Sequence, residues 1–91
     1  MITQDEKAVQ IAAKLYDARS AMRSLLGEKY PERVQKFKDY IREVMAKTGC
    51  NYLVATLQIA KALAADTTKD TSIAQGMIFA ACVEISEEKT A

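Results

Sequence analysis

Chemistry needs a nucleophile, a proton carrier or a metal ligand, and few residues here qualify. The sequence contains no histidine and two cysteines, Cys50 and Cys82. That leaves no zinc or haem site of the usual ligand sets. A base would have to be a carboxylate, a lysine or a thiolate. Neither cysteine has a Cys-x-x-Cys partner, and both lie in apolar neighbourhoods, which raise a thiol pKa rather than lower it. No two carboxylates share an apolar helix face, as a paired acid and base would require. Glu84, between Val83 and Ile85, is the one acid inside an apolar run and is expected to mark the solvent stripe of its helix. Gly27, Gly49 and Gly76 are too far apart for a phosphate-cradling loop. The residues therefore predict a protein that is not an enzyme, with no metal and no cofactor.

Binding chemistry is better represented. Arg19 and Arg23 stand four apart, Arg42 follows nine residues after Arg33, and Tyr16, Tyr30, Tyr40 and Tyr52 all precede residue 53. Tyrosine and arginine dominate protein-binding hot spots. Arg19, Arg23, Tyr40 and Arg42 are thus the expected anchors for a protein partner on an outer face. The same residue types would suit a pocket for a small planar ligand or nucleotide at an oligomer interface, a weaker alternative. The plainer reading is a solvated face of mixed charge, with helical ion pairs such as Asp39–Arg42 and Glu43–Lys47. A second motif spans Val44 to Leu63, where Gly49 forms a tight turn between two helices and Asn51 opens the second. That order suits a helix-turn-helix and makes a DNA-binding regulator the main alternative. A recognition helix needs polar residues near its start, yet Tyr52-Leu53-Val54-Ala55 reads as core. Asn51, Thr56 and Lys61 remain as DNA contacts.

Helices must position all of these groups. Thr3-Gln4-Asp5-Glu6 has the form of a capping box. Apolar residues then recur at Ile11, Leu15, Ala18, Met22 and Leu25, keeping one helix face apolar until Gly27. A first helix over residues 4–26 follows. Pro31 and Glu32 suit a helix start, and Val34, Phe37, Ile41, Val44 and Met45 form the buried face of a second helix over 31–48. Asn51 caps a third, 51–65, which is apolar almost all round and so should be buried on most sides. Asp66 to Thr71 reads as a loop, with Asp70 or Thr71 capping a fourth helix over 71–87. Met77-Ile78-Phe79 would pass for a buried strand, but no second strand exists to pair with it. Glu87 to Ala91 reads as a frayed tail. Short connections favour antiparallel neighbours, so the expected fold is all-α: a compact bundle of about four helices, the third and fourth largely buried.

The bulk numbers fit this picture. At 91 residues, 49% apolar, 27% charged and a net charge of +1, the chain fits a single soluble helical domain, residues 1–91. Its longest apolar run, Met77 to Val83, is far short of the ~20 residues a bilayer-spanning helix needs. The first six residues carry no positive n-region or apolar run, so the expected compartment is the cytoplasm, with both thiols reduced. The averages conceal a division. Residues 1–49 carry ten Lys/Arg against seven Asp/Glu, while residues 50–83 carry only Lys61, Asp66, Lys69 and Asp70. Two amphipathic helices cannot readily cover two that are apolar all round. The surplus should pack against another chain, which predicts a homo-oligomer. The expected function is therefore a small interaction protein that binds another macromolecule, whether adaptor, inhibitor or regulator. Compact motif-free helical chains of this kind are often regulators carried by mobile genetic elements.

Overall fold

The computed structural model describes the backbone of residues 4–90 and the side chains of residues 10–88. The capping box expected from Thr3 and Glu6 lies outside those side chains. Four helices follow one another: α1 (Gln4–Leu26), α2 (Tyr30–Thr48), α3 (Tyr52–Ala65) and α4 (Ser72–Thr90). A single 3-10 turn, Gly27–Lys29, joins α1 to α2. Among the described residues there is no strand, so Met77-Ile78-Phe79 is helical as expected.

The helix ends follow local hydrogen-bond chemistry. Gly27 and Gly49 take positive φ angles of 55° and 71°, the left-handed turn that ends a helix without a Cβ clash. The Gly49 amide donates to the Met45 carbonyl at 2.8 Å. The Asn51 side chain accepts from the Val54 amide at 2.9 Å, so it caps α3. Of the two residues nominated to open α4, Asp70 is the one whose side chain takes a backbone amide there. Asp70 accepts from the Ser72 amide at 3.0 Å, while the Thr71 hydroxyl donates back to the Leu63 carbonyl at 3.1 Å.

α4 is the core. Met77, Ile78, Ala80, Ala81, Cys82, Val83 and Ile85 are all buried, leaving its middle almost no free side. α1, α2 and α3 each pack against it, and α2 also packs against α3. Tyr30, Val34 and Ile41 come in from α2, and Ala55 and Ile59 from α3. Around this axis the ring of helices is incomplete: among the described residues, no Cα of α1 comes within 8 Å of α3.

Two expectations change. Burial holds for α4, but within one chain α3 buries only Ala55, Thr56 and Ile59, and leaves Leu53, Val54 and Leu57 exposed. An all-round apolar helix needs neighbours on every side, and here it has them on one. The frayed tail is also corrected, because α4 continues to Thr90. Glutamates near a helix C-terminus oppose the helix dipole. Glu87 and Glu88 persist there because cations from α1 and α2 meet them.

Candidate functional site

The gap between α1 and α3 is a groove of about 450 Å³. Ile11, Lys14 and Leu15 form one wall, and Leu53, Thr56 and Leu57 the other. Phe79 and Cys82 of α4 form the floor. Ile11 and Leu57 are 57% and 61% exposed, so large apolar surfaces stand in water at both rims. Among the lining residues only Lys14 carries a charge. The Thr56 hydroxyl is already committed to the Tyr52 carbonyl at 2.7 Å, and burial pushes the Cys82 thiol pKa up, keeping the sulfur protonated. What this arrangement offers is burial of apolar surface.

The opposite side of the molecule is polar and internally paired. Glu84 is not on a solvent stripe, as its sequence position suggested, but at the junction of three helices. One of its oxygens accepts from the Tyr30 hydroxyl at 2.9 Å and from Arg23 at 3.1 Å, and lies 3.6 Å from Arg19. Tyr30 is buried, and this burial, together with the adjacent Glu84 carboxylate, pushes its pKa up to about 12. Glu87 approaches Arg19 to 2.7 Å, off the ideal hydrogen-bond line, and that ion pair raises the arginine pKa against the opposing effect of burial. Lys38 and Arg42 both pair with Glu88. Arg19 thereby holds Glu87, and Lys38 with Arg42 hold Glu88, below the usual carboxylate range.

Of the anchors nominated from sequence, Arg19 and Arg23 are brought together at Glu84, and Tyr40 and Arg42 are not among its partners. The Arg19 side chain, only 12% exposed, lies over the Tyr16 ring at 5.0 Å, and Arg23 over the Tyr30 ring at 5.4 Å. Arg42 is tied to Glu88. Tyr40 is half exposed on α2. Of the predicted local ion pairs, Glu43–Lys47 forms at 2.9 Å. Asp39 instead accepts from Gln35, while Arg42 reaches across to α4. Of the nominated DNA contacts, Asn51 is exposed but spends its side-chain oxygen capping α3, Thr56 is buried, and Lys61 is exposed. The four tyrosines do not converge: Tyr16 and Tyr30 each lie under a different arginine, and Tyr52 packs on the core. Both cysteines are free thiols.

Sequence reasoning missed the groove because Ile11 and Leu25 belong to the same apolar stripe as Leu15 and Met22. A 4-3-4-3 spacing covers more of a helix than one neighbour can bury. The available signal was the excess of apolar residues on α3.

Among the described residues, no helix is long and apolar enough to cross a membrane, and no group of three metal-ligating side chains comes together. Compared with known proteins, the chain matches no family model, no curated protein and no solved structure.

Proposed function

We propose that this chain is a small non-enzymatic interaction protein, an adaptor, inhibitor or regulator, whose α1–α3 groove docks another polypeptide chain. One observation carries the reading: the groove is walled by exposed Ile11, Leu53 and Leu57 and floored by Phe79. Exposed apolar patches rimmed by polar surface mark interaction sites, and an open trough beside helices suits the apolar face of another helix. The arginines on the far side are engaged in ion pairs within the chain, so they support the reading less. Tyr40, half exposed on α2, is the member of that predicted set outside these ion pairs. The reduced thiols fit a cytoplasmic protein.

Site-specific photocrosslinking in the native host tests this reading. A photoreactive side chain in place of Leu57 should give a discrete covalent adduct, and one in place of Arg33, on α2, should not. Absence of any adduct from the groove position defeats the proposal.

A further inference from the structure

We infer that the occupant of the groove is a second copy of this chain, in an isologous pair related by a two-fold axis. The inference rests on reading the groove as a docking surface and names what docks there. Its first support is area. A folded monomer of 10.1 kDa is expected to expose about 5,300 Å² from the scaling of surface with mass. This chain exposes 6364 Å². The surplus, roughly 1,000 Å², is close to the ~800 Å² that each partner contributes to a stable interface.

The second support is pattern. On α3, Leu53, Leu57, Ala60 and Ala64 recur at 4-3-4 spacing, and Leu53, Leu57 and Ala64 are exposed. On α1, Ile11, Ala18 and Leu25 recur every seven residues, with Ile11 and Leu25 more than half exposed. Such repeats are the seams with which helices pack against other helices. Ile11, Leu53 and Leu57 are also groove walls. One face therefore carries both the ridges and the trough, which is what a two-fold interface needs, since the same patch must complement itself.

The third support is charge. Self-association sets every charge against its own kind. A groove lined by one sign would repel a copy of itself and select an oppositely charged partner. With Lys14 as the only charged lining residue, and its flexible stem free to turn outward, that penalty is small and no oppositely charged partner is selected.

Sedimentation equilibrium over a micromolar concentration series, with native mass spectrometry, tests the inference. Wild type should give twice the 10.1 kDa chain mass. Leu53→Lys and Leu57→Lys should each give the single mass while keeping wild-type helical circular dichroism, since both side chains are exposed in the single chain. Tyr40→Ala, on α2, should remain a pair. The photo-adduct from position 57 should likewise have twice the chain mass. A single chain at every concentration, with an adduct to a different protein, overturns the pair and leaves the groove as a docking surface. A single chain retaining a small apolar ligand, with no adduct, overturns both. A pair insensitive to both lysine substitutions overturns the assignment of this face.

Discussion

Tyr30 and Glu84 are the residues on which the polar side turns. The Tyr30 hydroxyl donates to a carboxylate already flanked by Arg19 and Arg23, so ionising it would put two anions side by side in a poorly solvated place. With its pKa pushed up to about 12 from the ordinary 10.0, the folded chain holds that proton more tightly than the unfolded one. The stability this confers is complete below pH 10 and is lost as pH rises from 10 through about 12. Ultraviolet titration of tyrosinate should resolve one hydroxyl that ionises late, together with a fall in urea stability over the same window. Glu84→Gln removes the neighbouring charge but not the burial, so the late step should move toward pH 10 without reaching it. A single step at the ordinary pKa in wild type would show that Tyr30 is open to water. Glu84 itself was visible in the sequence as an acid in an apolar run. Its partners were not, because Tyr30 lies 54 positions away and Arg23 61.

At the scale of elements, most of the architecture was legible because helix ends are local. Gly27, Pro31, Gly49, Asn51 and Asp70 each act within a few residues of themselves, and the observed helices fall within a residue of expectation at every end except the last. α4 runs on because Glu87 and Glu88 meet cations brought from elsewhere, and no local pattern encodes that. The groove was illegible for a related reason: periodicity says which side of α3 is apolar, not how many neighbours arrive to cover it. Two glycines separate local from tertiary demands. Gly49 has φ 71° and open space around it, so Gly49→Ala should cost about 1–2 kcal/mol from backbone strain alone. Gly76 lies inside α4, where an added Cβ would come 2.9 Å from the terminal methyl of Met22. That methyl ends a flexible side chain and can turn aside, while alanine gains up to about 1 kcal/mol of helix propensity. Gly76→Ala should thus be neutral or mildly stabilising in urea denaturation, opposite in sign to Gly49→Ala. A cost above about 1 kcal/mol at Gly76 would mean that Met22 is locked in place.

The whole molecule is a core helix with one side left open. Its radius of gyration, 13.3 Å, is slightly above the ~12 Å expected for a compact chain of this length, as an incomplete ring of helices around α4 requires. Ion pairs gather where α1 and α2 meet the end of α4, while the side between α1 and α3 is apolar and nearly uncharged. Such a division makes stability a property of concentration. If the open side is closed by a second copy, unfolding releases two chains, and each tenfold dilution removes about 1.4 kcal/mol from the pair. For two chains of this size unfolding together, that corresponds to a fall in Tm of about 3–6 °C. Scanning calorimetry across two decades of protein concentration should find that drift in wild type and in Tyr40→Ala. Leu57→Lys should melt lower, at a temperature independent of concentration, because its exposed side chain contributes to stability only when covered. Added salt should change the drift little, since Lys14 is the one charged side chain lining the groove. A wild-type Tm that stays fixed on dilution would place the partner for this face outside the chain itself.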